Sequence, residues 1–432
     1  MNVAIVGYGV EGRSALPYWL EKGAEVIVCD QNPQLEVPEG VARQLGSNYL
    51  DNLDRFDVIV RTVGMHPQVI LDKNPGVQHK ITTNINEFLS VCPTKNVIGV
   101  TGTKGKGTTS TLVLKMLEAA GKHAFLGGNY GIPAFSFLPQ LTPDSWVVLE
   151  LSSYMLYDIQ HSPHIAICLM VQPEHLDWHG DTDDYFKAKS NLFAHQNEDD
   201  IAIYYAENLD SHKIASGSPG RKITYYAEPG AYIKKGNVMI DETVLCKTNE
   251  LKLLGKHNWQ NVCAAVTAFW QVAQMPDVIR KILTTFSGLP HRLELVREID
   301  GMRFYNDSFA SQPFASMAAI DAIPGNKVMI VGGYERMIPL EELAKHVKDS
   351  KNLRSLLLIG QSAARVAETL QKVGFSNFII TTSRTMPEIV AEAKKLAQKN
   401  DAVVLSPGFA SYDMFKNFED RGLQFKQAVN DL

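Results

Sequence analysis

The chain has 432 residues, 45% of them apolar and 21% charged, and its net charge is −5. That length accommodates about two to four domains with ordinary cores, and the slightly acidic balance argues against a general nucleic-acid binder, which carries a basic surface. Anionic small ligands stay open, because backbone amides and a few cations suffice to hold them. Cys29, Cys92, Cys168, Cys246 and Cys263 are widely spaced and form no CxxC pair. They read as small buried hydrophobes in a reducing compartment rather than as disulfides or a zinc site. The chain opens directly on a strand-like run without a basic leader, and no stretch approaches the roughly 18 apolar residues of a membrane span. A cytoplasmic protein without membrane insertion is the expectation.

Short β-branched runs alternate with amphipathic segments, the pattern of α/β domains with largely parallel sheets. In the first block, 1–92, strands are predicted over 3–6, 26–29 and 58–60, and the turn at Val91-Cys92-Pro93-Thr94 closes it. The second block, 93–295, opens on the buried strand 97–101 and continues with a helix over 110–120. Strands over 146–151 and 165–171, a small meander within 220–250 and a helix over 258–275 follow. The third block, 296–432, has predicted strands over 327–331, 356–359, 378–381 and 402–405 with helices between them. No repeat at solenoid periods is visible.

Two glycine-rich motifs carry the chemistry. Gly7-Tyr8-Gly9-Val10-Glu11-Gly12 directly follows a strand, and Asp30 ends the next one. This is the order and spacing of a dinucleotide fingerprint, in which glycines let a diphosphate approach the backbone and a helix N-terminus receives it. By itself the motif leaves NAD, FAD, a UDP-sugar or a structural turn open. The second motif is Gly102-Thr103-Lys104-Gly105-Lys106-Gly107-Thr108-Thr109, between a buried strand and a helix, where a phosphate loop belongs. Lys106 is placed to reach β- and γ-phosphates, and the Thr108 hydroxyl is a candidate Mg²⁺ ligand. The spacing departs from the usual Walker pattern, with two residues between Gly102 and Gly105, and Gly107 after the lysine. A dehydrogenase has no use for the second motif and a simple ATPase none for the first. Together they point to ATP plus a second, diphosphate-bearing substrate.

Further signatures recur in a fixed order: Gly127-Gly128-Asn129-Tyr130-Gly131, Leu149-Glu150-Leu151-Ser152-Ser153, Glu174-His175-Leu176-Asp177, Gly255-Lys256-His257-Asn258, Leu289-Pro290-His291-Arg292, Asn306-Asp307-Ser308 and the run from Phe415 to Gly422. With the phosphate loop, this series resembles the Mur ligase family over nearly the whole chain, and within it the ligases that add glutamate to a UDP-muramoyl peptide. The resemblance implies three α/β domains: a Rossmann-like UDP-binding domain, a P-loop-type central ATP-binding domain and a Rossmann-like C-terminal domain. ATP would lie between the second and third, and the third would close like a clamp.

The implied reaction is ATP-dependent amide-bond formation between UDP-N-acetylmuramoyl-L-alanine and glutamate, D-glutamate favoured, through an acyl phosphate. The enzyme would be a monomer using ATP and two Mg²⁺ ions. By resemblance Glu150 and His175 are metal ligands, and Lys189, rather than Lys187, is the lysine that the family carbamylates, a third ligand. Asn129 and Tyr185 shape the muramoyl and phosphate region, Asn261 contacts adenine, and Arg292 and Asp307 lie at the ATP phosphates and ribose. Ser411 and Phe418 match positions that contact glutamate. Arg336 stands where the glutamate ligases often carry a lysine, and it offers a bidentate carboxylate clamp. Gly7, Gly9, Val10 and Asp30 would serve the UDP moiety.

Three departures bear on the substrate. Phe309 replaces a lysine in Asn306-Asp307-Ser308-Phe309-Ala310-Ser311, Thr62-Val63-Gly64 stands where Ser-Pro-Gly is usual, and Gly107 resembles the folylpolyglutamate synthases. They leave the enantiomer of glutamate, another amino acid, or a folate-type ligase as alternatives. The folate reading does not account for the first glycine motif. An oxidoreductase reading leaves Lys106, Glu150, His175 and Lys189 without a role, and a binding-only module gives no reason to keep them.

Overall fold

The computed structural model describes residues 1–432. Its first sheet is wholly parallel and comprises β1 (Asn2–Val6), β2 (Glu25–Asp30), β3 (Ala42–Leu45), β4 (Val58–Arg61) and β5 (Ile81–Thr83), in the order β3-β2-β1-β4-β5. β1 is buried from Val3 onward, as expected for a parallel strand covered on both faces. Val6 lies opposite Cys29 on one side and Arg61 on the other. The turns that begin at Gly7, Asp30 and Thr62 therefore share one edge. The strand order reverses about β1, and ligands of open α/β sheets bind in the crevice that such a reversal opens.

The second sheet repeats this logic. It comprises β6 (Val97–Thr101), β7 (Ala124–Gly128), β8 (Trp146–Glu150), β9 (Ile165–Cys168), β10 (Ile201–Tyr205) and β11 (Arg221–Tyr225), all parallel, in the order β11-β10-β9-β6-β8-β7. β6 is fully buried. Its end pairs Val100 with Glu150 and Thr101 with Cys168, so the phosphate loop leaves the sheet beside Glu150. An antiparallel meander follows, β12 (Tyr232–Lys234), β13 (Asn237–Ile240) and β14 (Thr243–Lys247).

The last sheet is mixed. The antiparallel pair β15 (Glu294–Ile299) and β16 (Met302–Asn306) extends a parallel set of β17 (Lys327–Gly332), β18 (Leu353–Ile359), β19 (Phe378–Ile380) and β20 (Ala402–Leu405), in the order β15-β16-β20-β17-β18-β19.

The chain divides into two compact units: Met1–Glu250 with Trp259–Thr284, and Leu251–Asn258 with Thr285–Leu432. In the first, one apolar cluster runs from Val3 and Phe88 through Phe135 to Val147 and Leu192, so the first two sheets share a core. In the second, Met329 and Val331 enter the core on one face of β17, while Val328 and Ile330 enter the core on the other. This is the period-2 alternation of a strand sandwiched between helices.

The fold is the α/β architecture expected. Several element bounds differ from the sequence expectation. The helix after the phosphate loop begins at Lys106, not 110, because Gly105 adopts φ 89° and starts it. Strand β9 stops at Cys168. The helix expected over 258–275 is His257–Trp270, and a separate helix, Pro276–Thr285, starts at the proline. Within 220–250, Arg221–Tyr225 joins the large parallel sheet rather than the meander. Strands β3, β5, β7, β10, β15 and β16 were not legible as periodic runs. No helix is long and apolar enough to cross a membrane.

Candidate active site

The phosphate loop sits on two amino groups. Lys106 Nζ donates to the carbonyls of Gly102 (3.0 Å) and Thr103 (3.1 Å), and Lys189 Nζ donates to the same Gly102 carbonyl (3.1 Å). Lys189 projects from the helix Thr182–Ala194 and is only 1% exposed. Burial, reinforced by the Lys106 charge, pulls its pKa down to about 7. Its nitrogen also lies 4.6 Å from the centre of the Tyr185 ring. Tyr185 in turn shares a 2.9 Å hydrogen bond with Thr103 Oγ1. Gly105 abuts Asn261: a Cβ there would stand 2.1 Å from Asn261 Oδ1. The backbone turn and the asparagine thus require glycine at this position.

On the flank, Glu150 is buried and its Oε1 accepts from Asn129 Nδ2 at 2.8 Å, while the Asn129 amide donates to the Glu150 carbonyl. Lys104 is ion-paired to Glu174 at 2.6 Å, and the same carboxylate lies 3.7 Å from His175. His175 adopts a left-handed φ of 60°. Burial lowers its pKa, opposed by Glu174 and aided by Lys106, which favours the neutral imidazole. In the first turn of the helix Lys106–Ala119, the buried Thr109 hydroxyl has no hydrogen-bond partner.

At the carboxyl edge of the first sheet, Gly7, Gly9, Asp30, Gln31, Tyr49, Thr62, Gly64, Met65 and Val69 line a cleft of about 450 Å³. Asp30 accepts from the Tyr8 amide (2.8 Å) and the Asn32 amide (2.9 Å), which fixes its carboxylate at the rim. Gly9 caps the helix Val10–Glu21 without a side chain, and Val10 is exposed.

The second unit gathers another set. Asp307 is buried and held by Ser406 Oγ (2.7 Å) and the Leu293 amide (3.1 Å), and burial pushes its pKa up to about 7. The Arg292 guanidinium lies 3.8 Å from the centre of the Phe309 ring, which meets Phe418 edge-on at 5.0 Å. Ser411 is buried, whereas Arg336 is exposed.

Residues 100–269 match the Mur ligase middle domain and residues 291–409 the Mur ligase, glutamate ligase domain. The UDP-N-acetylmuramoylalanine–D-glutamate ligase of Clostridium kluyveri is 36% identical, covering 100% of this chain and 97% of the relative. That of Acetivibrio thermocellus is 35% identical, covering 100% and 96%. The chain belongs to the Mur ligase family.

Solved structures agree at the level of fold. The UDP-N-acetylmuramate-alanine ligase of Thermotoga maritima superposes with a TM-score of 0.61 at 17% identity, covering 100% of this chain and 99% of that one. A UDP-N-acetylmuramoylalanyl-D-glutamyl-2,6-diaminopimelate–D-alanyl-D-alanyl ligase of Acinetobacter baumannii gives 0.63 at 16% identity, covering 99% and 93%.

Mur ligases use ATP and Mg²⁺, and the residues of this Mur ligase fit both. A glycine loop at a helix N-terminus, Lys106, and an unpartnered Thr109 hydroxyl suit phosphate oxygens. Nowhere do three His, Cys, Asp or Glu side chains gather as a metal cage. Mg²⁺ needs no such cage, since it takes one or two carboxylates and completes its shell with phosphate and water. Glu150 and Thr108 would hold it, with His175 and a modified Lys189 as the further ligands implied by the family.

The structure separates Lys189 from Lys187, since the latter is exposed. Three residues to which the sequence assigns no role also stand at these sites: Glu174, which pairs Lys104; Ser406, which holds Asp307; and Arg421. Arg421 is fully buried and bonded to Ser308 and to the Phe409 carbonyl. Glu174 and Arg421 lie inside signature runs, which is the one trace they leave in the sequence.

Proposed function

We propose that this Mur ligase joins D-glutamate to UDP-N-acetylmuramoyl-L-alanine at the expense of ATP, a step of peptidoglycan synthesis. The observation that carries this reading is the end-to-end likeness to D-glutamate ligases. The convergence of Lys106 and Lys189 on the phosphate loop supports it. The functional division follows the blocks 1–92 for the UDP substrate, 93–295 for ATP and 296–432 for the amino acid. The free cysteines suit the reducing cytoplasm, and the enzyme acts as a monomer.

A terminal carboxylate oxygen of the UDP substrate attacks the γ-phosphorus of ATP, the bond to the β-phosphate oxygen breaks, and ADP departs. The amine of glutamate then attacks the acyl carbon, phosphate leaves, and the amine loses a proton as the amide forms. Such phosphoryl transfer needs positioning and charge neutralisation more than covalent help from the protein. Lys106 supplies a fixed cation, and the loop amides cradle the phosphates. Bound Mg²⁺, two ions in this proposal, supplies charge neutralisation at the phosphate oxygens.

Lys189, with a pKa near 7, keeps a large neutral fraction at physiological pH. Neutral amine is the form that adds CO₂ to become a carbamate. Asn129 and Tyr185 order the region around the reacting carboxylate, and Asn261 the adenine. Arg292 and Asp307 serve the nucleotide, while Ser411, Phe418 and Arg336 serve glutamate.

The test is phosphate release from ATP with Mg²⁺ and UDP-N-acetylmuramoyl-L-alanine, with D-glutamate, L-glutamate and other amino acids added separately. Release that requires the UDP substrate and D-glutamate is expected. Release with L-glutamate alone would keep the mechanism and overturn the enantiomer. Absence of release with every amino acid, from folded protein that binds ATP, would overturn the activity.

A further inference from the structure

An arginine that ends β4 at the rim of the diphosphate cleft invites an obvious reading, that it grips the ligand. The geometry rules this out for Arg61. It is 1% exposed, and its donors are committed to the protein. Nε and Nη2 fork onto Asp158 at 2.8 and 2.7 Å, and Nη2 also reaches the Tyr154 carbonyl at 3.2 Å. Nη1 faces the carbonyls of Met65 (2.9 Å), Val63 (3.3 Å) and Thr62 (3.4 Å). Tyr154 and Asp158 belong to the stretch that follows Glu150, on and just after the helix Ser153–Leu156. A buried guanidinium is tolerable only when bonded this fully, so Arg61 serves the chain around it.

That chain is the wall of the cleft. The 62–66 segment is neither helix nor strand. Its outer side lines the cleft through Thr62, Gly64 and Met65. Thr62 presses on the glycine turn so closely that a Cβ on Gly7 would stand 2.6 Å from Thr62 Cγ2. Its inner side rests on the Arg61 fork. A second tie comes from the helix after His175: Trp178 Nε1 donates to the Gly64 carbonyl at 2.9 Å, and the His66 ring packs on Trp178 at 4.6 Å and on Tyr157 at 4.8 Å.

We propose that Arg61 is a positioning residue for the UDP-bearing substrate. It clamps the 62–66 wall of the cleft to the 153–158 stretch that follows Glu150, and Trp178 adds a tie to the helix that follows His175. The inference rests on the reading of the cleft as the UDP site. A lysine at 61 would keep the charge but lose the planar fork that serves Asp158 and the loop carbonyls together.

The experiment compares wild type, Arg61→Lys, Trp178→Phe and Asp30→Ala. It measures the Kd of UDP by calorimetry and the KM values for UDP-N-acetylmuramoyl-L-alanine and for ATP. Arg61→Lys is expected to weaken UDP and raise KM for the UDP substrate about tenfold, the scale of one lost charge-assisted contact. KM for ATP should stay within about twofold. Trp178→Phe should shift the same two quantities about threefold, the scale of one neutral hydrogen bond. Folded Arg61→Lys with an unchanged UDP Kd, or with KM for ATP raised equally, overturns the proposal. Should Arg61→Lys not fold, an unchanged UDP Kd in Trp178→Phe overturns it. Wild type that binds no UDP, or Asp30→Ala with an unaltered Kd, instead removes the cleft assignment, and the role of Arg61 falls with it.

Discussion

Phe309 stands where the resembling ligases carry a lysine, yet the position is not stripped of charge. The Arg292 guanidinium lies on its ring, and the ring meets Phe418. A cation over an exposed aromatic face is worth about 0.5–1 kcal/mol. Phe309→Leu is therefore expected to raise KM for ATP about two- to fivefold, with Phe309→Tyr near wild type; equal KM values in all three would dismiss the stack as a positioning device.

Asp307 offers a test by pH. Its folded pKa, about 7, lies above the ordinary value of 3.8 because the carboxyl is buried. Below about pH 3.8 both folded and unfolded chains hold the proton; between there and about 7 the folded state alone does. The stability from the neutral carboxyl is thus complete at low pH and lost as pH rises through about 7. In ligand-free urea melts from pH 4 to 8, the wild-type stability should fall relative to Asp307→Asn across this window. Parallel curves would refute the assignment.

At the scale of elements, both glycine turns stand where a sheet reverses its strand order. β1 and β6 are buried central strands, and the loop that leaves each must turn at once, so glycine carries the left-handed backbone. Gly105 has φ 89° and the Asn261 carboxamide against its α-carbon. An alanine there incurs strain of about 1–3 kcal/mol, and it also displaces Asn261. Gly105→Ala should weaken ATP binding by calorimetry much more than UDP binding, since the first-sheet cleft lies on other strands. Equal losses would mean general destabilisation. The β-branched runs of β1, β2, β6 and β20 were legible because both faces are buried and the run is continuous. β3, with its Arg and Gln, and the short β5 were not, because their pairing with β2 and β4 decides their state more than their own residues do.

At the scale of the molecule, the first unit joins the first-sheet cleft, proposed for UDP, and the glycine loop after β6 over one shared core. A ligand that binds only the folded state at a hundred times its Kd adds about 2.7 kcal/mol. Mg²⁺-ATP should accordingly slow hydrogen exchange in β6 and in the helices Lys106–Ala119 and Thr182–Ala194, beyond any change in the first sheet. Uniform protection, or none in β6, would contradict the placement of the nucleotide.

The family and the α/β class are written in the chain, and the two glycine turns and Lys189 stand out in it as candidates, because glycine turns, buried strands and a fixed order of signatures are local or linear patterns. What those groups contact follows from the packed fold. Lys106 and Lys189 share one carbonyl though 83 residues separate them, Lys104 meets Glu174, and burial raises the pKa of the Asp307 carboxyl. The role of Arg61 is hidden in the sequence for the same cause. A charged residue at a strand end looks exposed in one dimension, and only folding brings Asp158 and four carbonyls around it in place of water.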